Sequence, residues 1–225
     1  MSGLWVLIFL ISISAVPALA VFIWFRLAKY PFSVVQFTLA LLAGAAAVFP
    51  ALILQNFFSN LTFATARGNL FFEVFISIAF TEEFSRLLML IILLGICNNF
   101  MSVIYDSIEK EATAGLIAGF GFAVIEGAIF GLQGTGVLLL RVISAAPLHG
   151  ACGFRIGSAI SSFRSSRLRA LFHFFAAVAI HGIYNLMIIL PGLPSILAVL
   201  IALSALASSL FAIRNGFSAT DLEDL

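Results

Sequence analysis

The chain has 225 residues, of which 63% are hydrophobic and only 9% are charged, and its formal net charge is +1. Soluble domains are typically about 45–50% apolar and about 25% charged. The composition therefore excludes a soluble enzyme, a disordered chain and a nucleic-acid-binding protein. A mean hydropathy of +1.20 indicates instead a polytopic helical membrane protein, since each crossing needs about 20 mainly apolar residues.

Apolar stretches long enough to cross a bilayer follow one another along the chain. None of them alternates with a period of two residues, as the strands of a membrane barrel would. We therefore predict an all-α protein with a single transmembrane domain over residues 1–215 and an acidic cytoplasmic tail over residues 216–225. The seven predicted spans cover residues 4–25, 33–54, 70–96, 113–132, 137–161, 171–190 and 194–213.

Basic residues are distributed unevenly between the two predicted faces of the membrane, and such residues accumulate in short cytoplasmic loops. The bias predicts that the N-terminus lies outside and the C-terminus inside, with only Arg67 and Arg141 at outer ends. The longest outer connection, residues 55–69, is expected to be an ordinary loop, with an interfacial or re-entrant segment as the alternative. The basic residues at inner ends are then Arg26, Lys29, Lys110, Arg164, Arg167, Arg169 and Arg214.

Several ionisable residues lie deep inside apolar spans. Glu82, Glu83 and Glu126 are three of the ten acidic residues, and a charge at the bilayer centre costs roughly 2.5 kcal/mol or more. At about 1.5 Å per residue, Glu82, Glu126, His149 and His181 each lie about 15–20 Å into a different span. Because the hydrocarbon core is about 30 Å thick, the sequence predicts a polar site near the bilayer midplane.

Local spacing adds two further groups to this site. Arg86 follows Glu82 by four residues, so the two share a helix face and Arg86 is predicted to be a structural partner. Asn185 follows His181 by the same spacing and adds an amide. Buried carboxylates suit general base catalysis, and histidines can bind a water, stabilise an oxyanion or ligate a metal. Such a set would serve water activation at a peptide carbonyl, a proton relay or a cation pathway.

The order of these residues resembles the motifs of the PrsW family of intramembrane proteases. Residues 82–86 read EEFSR and resemble the EExxK/R motif, and residues 122–126 read FAVIE and resemble FxxxE. Residues 149–153 read HGACG, like HxxxG, and residues 181–185 read HGIYN, like HxxxN/D. The resemblance covers residues 80–185, about half of the chain.

The sequence departs from the family pattern at three positions. Thr81 stands where family members often have a first glutamate, Arg86 replaces lysine, and Gly127 replaces an asparagine. The wider superfamily, which includes the CAAX prenyl endopeptidases and the bacterial CPBP proteins, shares the double glutamate and the late HxxxN. Its first motif usually has one more residue before the arginine, and it has a histidine in place of Glu126. The spacing here favours PrsW.

The resemblance implies an intramembrane endopeptidase that cleaves a peptide bond in or near a transmembrane segment of a membrane-protein substrate. By the same analogy, the substrate would be similar to a membrane-bound anti-sigma factor, and the address would be the cytoplasmic membrane of a bacterium. No nucleic acid is expected as a partner, and the lipid bilayer is the surrounding medium. The resemblance also implies a catalytic set that consists of Glu82, Glu83, Glu126, His149, His181 and Asn185.

Within that set, one of the two adjacent glutamates would activate water, and the histidines would position the water or the oxyanion. Asn185 would donate to the tetrahedral intermediate, and Glu126 would complete the polar cluster. A divalent metal such as zinc is the possible cofactor, held by His149, His181 and either Glu82 or Glu83. The spacings are not those of the HExxH zinc motif, so metal dependence stays open at this point.

Three alternatives remain. The first is a CAAX/CPBP-type endopeptidase, or a CPBP-like peptide-maturation or immunity factor. The second is a proton-coupled transporter, which should show broken helices or an inverted repeat, and the sequence shows no clear pair of interrupted spans. The third is a catalytically inactive scaffold, which would tolerate loss of the glutamates.

Overall fold

A computed structural model describes residues 3–59, 61, 65–101, 105–190 and 195–223. These residues form helices and short connections and contain no strand, which confirms the all-α prediction. A π-helical segment, Glu73–Phe80, joins α4 to α5. The α-helices among the described residues are α1 (Gly3–Ser14), α2 (Val16–Leu27), α3 (Val34–Phe58), α4 (Ala66–Phe72), α5 (Thr81–Phe100), α6 (Ile108–Gly131), α7 (Thr135–Ile143), α8 (Ala145–Phe163), α9 (Arg167–Ile189) and α10 (Ser195–Glu223).

Five helical stretches of the described residues are long and apolar enough to cross a membrane, namely α3, α6, α7 with α8, α9 and α10. A sixth is obtained if α1 and α2, which meet at a bend of 45°, count as one span. The chain is therefore an integral membrane protein with five or six such helices. The predicted span 70–96, which falls on α4, the π-helical segment and α5, is outside this set, so the count of seven remains a prediction.

Two predicted spans contain irregularities that the sequence analysis did not expect. Span 4–25 is divided at Ala15 into α1 and α2, and Pro17 lies in the first turn of α2. Span 137–161 is interrupted at Ser144, and Pro147 lies in the first turn of α8. Proline has no N–H to donate to the carbonyl four residues earlier. Span 4–25 is therefore bent by 45° between α1 and α2, while α7 and α8 continue as one stretch.

The predicted loop 55–69 and the predicted tail 216–225 contain more helix than the sequence indicates. The predicted loop 55–69 is helical at both edges, because α3 continues through Phe58 and α4 begins at Ala66. Residues 60 and 62–64, on which its interfacial alternative depends, lie outside the described residues. The predicted tail is helical as far as Glu223, since α10 continues to that residue.

Helix α6 forms the centre of the bundle and is buried along most of its length. Glycines allow its backbone to touch its neighbours directly. A Cβ atom on Gly115 would lie 2.2 Å from the Gly153 carbonyl oxygen of α8, and one on Gly119 would lie 1.9 Å from that of His149. On the other side, a Cβ atom on Gly44 of α3 would lie 1.8 Å from the Ala118 oxygen. Small residues thus bring α3, α6 and α8 into close contact, as in other membrane bundles.

This packing predicts a specific loss of stability. Gly119→Ala should lower the free energy of unfolding by about 1–3 kcal/mol, because the new methyl group meets the backbone of α8 and has no rotamer to escape into. The measurement is the Tm of the purified protein in detergent. Gly95→Ala in α5 is the matched control, since nothing lies within 4 Å of a Cβ there, and it should leave the Tm unchanged or raise it. Equal Tm values for the two variants would contradict the proposed packing constraint.

Candidate active site

Three of the side chains singled out in the sequence meet inside the bundle. One oxygen of Glu82 on α5, one nitrogen of His149 on α8 and one nitrogen of His181 on α9 all lie within 4.8 Å of one another. All three residues are buried, with exposed fractions of 4%, 1% and 2%. Helix packing therefore brings together residues that are far apart in the sequence, and they form a compact carboxylate–imidazole cluster.

The π-helical segment leads directly into the double glutamate. Such segments are rare in proteins and occur frequently at functional sites, because their extra residue per turn rotates the helix that follows. The Thr81 hydroxyl donates a 2.6 Å hydrogen bond to the Ser77 carbonyl at this junction. On α9, a Cβ on Gly182 would lie 2.3 Å from the Phe75 ring. Gly182 therefore lets the segment approach α9 beside His181.

Glu83 lies behind the cluster and is fully buried. Its Oε1 atom accepts a 2.5 Å hydrogen bond from Arg86 Nη2 and lies 2.8 Å from His181 Nδ1. The distance from Arg86 Nη2 to Glu82 Oε2 is longer, at 3.8 Å. The predicted partnership of Arg86 is thus directed mainly to Glu83, three residues away, and only weakly to Glu82. Glu83 in turn holds one nitrogen of His181.

Arg86 is held by more than the two carboxylates. Its Nη1 atom donates to the backbone carbonyl of His149 over 3.4 Å, and its Nε atom donates to the Glu82 carbonyl over 3.3 Å. The guanidinium also lies over the ring of Phe122, with 4.7 Å between its carbon and the ring centroid. One buried cation therefore links α5, α6 and α8.

Glu126 occupies the other side of His149. Its Oε2 atom lies 2.6 Å from His149 Nε2 and also contacts Arg141 Nη2. Arg141 in addition lies over the ring of Phe130, at 4.1 Å from the centroid. The distribution of basic residues predicts that Arg141 lies at an outer helix end, and the motifs give it no role at the site. Only the packing of α7 against α6 reveals the contact, and no spacing in the sequence indicates it.

Gln55 is the second residue that sequence reasoning missed. Its Nε2 atom donates a 3.1 Å hydrogen bond to Glu82 Oε1. The residue had been placed at the start of a loop, but it lies in the last turns of α3. A polar side chain one residue beyond a predicted apolar span is ordinary, so the sequence carries no specific signal for this contact.

Some buried polar atoms of the cluster are left without a hydrogen-bond partner among the described residues. They include Oε2 of Glu82, Oε2 of Glu83 and Nδ1 of His149. A buried polar atom without a partner costs about 1–3 kcal/mol. These atoms therefore mark positions where a water or an ion would be stabilising.

A cavity of about 400 Å³ lies beside the cluster. Asn185, which is half-buried, lies on its wall, whereas Glu83, His149 and His181 do not line it. The lining residues come from the C-terminal halves of α3, α6 and α9, from α7 and from the region around the start of α5. Its polar lining residues are Gln55, Glu82, Glu126, Arg141 and Asn185, and its apolar ones are Val48, Ala51, Leu52, Ile78, Phe122, Ile129, Phe130, Ile188 and Ile189.

Fold and site together define a polytopic membrane protein with a buried carboxylate–histidine cluster next to a cavity. The family profile described as PrsW family intramembrane metalloprotease matches residues 31–211. This region contains α3 to α9 and all four motifs, and the chain therefore belongs to the PrsW family, as the sequence motifs predicted. No curated protein and no solved structure matches the chain.

Proposed function

We propose that the chain is an endopeptidase that hydrolyses a peptide bond in or near a transmembrane segment of another membrane protein. Membership of a family of intramembrane metalloproteases supports the reaction class. The observation that carries the proposal is the convergence of Glu82, His149 and His181 within 4.8 Å. Hydrolysis inside a membrane needs such a site, because the attacking water must be held and deprotonated in apolar surroundings.

The residues fit the divalent metal that the family description implies. One carboxylate and two imidazoles match the donors of catalytic zinc sites, which keep a further position for water. Glu82 Oε2 and His149 Nδ1 are buried without a hydrogen-bond partner among the described residues, and a cation would satisfy both. We therefore assign Glu82, His149 and His181 as the residues that would hold it.

The surroundings of the two histidines support the same assignment. His149 Nε2 is 2.6 Å from Glu126, and His181 Nδ1 is 2.8 Å from Glu83. Histidines that bind metals commonly donate their other ring N–H to a carboxylate, which sets the tautomer and the ring orientation. Glu83 and Glu126 are therefore proposed to orient the histidines, and Glu83 is not proposed as the base.

Glu82 is proposed to be the acid–base residue of the site. Its Oε2 atom would hold the ion, and its Oε1 atom, which accepts the hydrogen bond from Gln55, would take a proton from a water in the cavity and later return it to the leaving amine. A bound divalent cation would acidify that water and polarise the scissile carbonyl. Asn185 is proposed to donate a hydrogen bond to the oxyanion of the tetrahedral intermediate, since its amide lies on the cavity wall.

The walls of the cavity suggest the substrate. Apart from its polar strip, the cavity is lined by aliphatic and aromatic side chains, which suits the apolar residues of a transmembrane segment. We propose a single-span membrane protein as the substrate class, with an anti-sigma-factor-like protein as the candidate by analogy with the family. With the N-terminus outside, as the basic residues predict, the cavity lies in the outer half of the bundle.

Cleavage in proteoliposomes tests this proposal. The purified protein should cleave a co-reconstituted single-span substrate, lose the activity with a zinc chelator and regain it when zinc is added. His181→Ala should abolish cleavage and lower the bound zinc measured by mass spectrometry. His173→Ala is the matched control on the same helix, and it should retain both. Cleavage that resists the chelator and survives in His181→Ala would overturn the assignment.

A further inference from the structure

A second cavity, of about 740 Å³, shares no lining residue with the cavity of the candidate active site. Phe80, Phe84, Leu87 and Ile91 form one wall, at spacings that place them on one helix face. The opposite wall is formed by α8 and α9, where Phe174 packs edge-on against Phe80 at 5.7 Å between centroids. We call this cavity the α5–α9 groove. From Phe80 to Ile91 it is about 16 Å long.

Only one end of the α5–α9 groove is charged. Arg164 and Arg167, on either side of the turn between α8 and α9, are among its lining residues, and none of its lining residues is acidic. Arg164 also contacts Glu111, but its side chain is 67% exposed. Arg167 is exposed and lies over the ring of Phe163 at 5.8 Å. No carboxylate pairs with Arg167 among the described residues, so its positive charge is free to bind an anion.

We propose that the α5–α9 groove binds an anionic phospholipid, with the phosphate on Arg167 and Arg164 and an acyl chain along Phe80 and Phe84. An apolar slot that ends in two guanidinium groups complements this ligand, because a phospholipid has an apolar chain and an anionic head. Basic pockets between transmembrane helices bind anionic head groups in this way. The basic end of the groove is also the end predicted to face the cytoplasm.

The charges of the groove favour a lipid over a protein helix. Arg164 and Arg167 lie at one end, and no carboxylate lines the groove. This arrangement suits a ligand whose charge is confined to one anionic head. The proposal is independent of proteolysis, because the groove shares no lining residue with the cavity beside Glu82.

Quenching by brominated lipids tests the proposal on the full chain. The two native tryptophans are replaced (Trp5→Phe, Trp24→Phe), and Phe175→Trp places a reporter in the groove. Phe49→Trp, an exposed position on α3 outside the groove, is the matched reporter. Each protein is reconstituted with dibrominated phosphatidylglycerol or dibrominated phosphatidylcholine diluted in unbrominated lipid. We expect half-maximal quenching of the groove reporter at a roughly fivefold lower mole fraction of phosphatidylglycerol, and no preference at Phe49→Trp.

Charge variants connect this preference to the arginines. Arg167→Gln should remove most of the preference, Arg167→Lys should retain it, and both leave the Arg164–Glu111 pair intact. Arg26→Gln removes an exposed arginine elsewhere and should have no effect. Equal quenching by the two lipids, or a preference that survives in Arg167→Gln, would overturn the proposal. Relief of quenching by an added transmembrane peptide would assign the groove to a protein partner instead.

Discussion

Replacing Glu82 by glutamine is expected to lower substrate cleavage by roughly 10²–10⁴-fold, the range found for loss of a general acid–base group. Glutamine keeps the shape of the side chain but cannot take a proton from water. It should also reduce the bound zinc, because the carboxylate is one of the three proposed ligands. The fold should survive, since the removed charge lies 3.8 Å from Arg86 and the glutamine oxygen can still accept the hydrogen bond from Gln55. The measurements are cleavage in proteoliposomes, zinc content and Tm on the same preparations.

Glu83→Gln, one residue away, is the control for this prediction and should behave differently. Its carboxylate is the 2.5 Å partner of Arg86, so the variant should lose stability and fall in Tm. Its cleavage rate per folded molecule should fall about 10–100-fold, because it orients His181 without reacting itself. The reverse pattern, with Glu82→Gln active and Glu83→Gln stable but inactive, would contradict the roles proposed for the two glutamates.

Arg86→Met is expected to lower the free energy of unfolding by about 3–5 kcal/mol, because removing one member of a buried ion pair leaves the other charge uncompensated. The exposed fraction of Arg86 is 1% and that of Glu83 is 0%, so water cannot replace the lost partner. Arg86→Lys should cost less, since it keeps the positive charge that the family motif also supplies with lysine. Thermal and chemical unfolding in detergent measure the difference.

A double variant separates the ion pair from simple loss of packing. Arg86→Met combined with Glu83→Leu should be more stable than Arg86→Met alone, because no unpaired charge then remains inside the bundle. Cleavage should stay low in the double variant, since His181 has lost the carboxylate that orients it. The alternative outcome is that the double variant loses as much free energy of unfolding as the two single variants together. Arg86 would then stabilise the protein through its contacts with Phe122 and the α8 backbone instead.

The depth of the polar residues was the most informative feature of the sequence. Charges in the middle of apolar helices must face the interior of a bundle, and equal depth on different helices indicates one shared site. The structure brings Glu82, His149 and His181 together accordingly. The sequence does not show which carboxylate Arg86 pairs with, because the residues three and four positions before it both lie on its face of the helix.

Two contacts that complete the site could not be predicted from the sequence. Gln55 reaches Glu82 because α3 continues beyond its predicted end, and Arg141 reaches Glu126 because α7 packs beside α6. Both residues lie near the ends of apolar segments, where polar side chains are ordinary and carry no signal. Their partners depend on helix rotation and crossing geometry, which are set by the glycine contacts of the whole bundle.

The sequence by itself determined that this is an all-α membrane protein, that it resembles the PrsW family and which side chains are buried against their preference for water. These properties follow from composition, segment length and spacing along a single helix, which are local quantities. Tertiary structure alone decided the different contacts of Glu82 and Glu83, the carboxylate beside each histidine and the groove that ends at Arg167. These features depend on how helices distant in sequence pack against one another, and one-dimensional spacing does not encode that geometry.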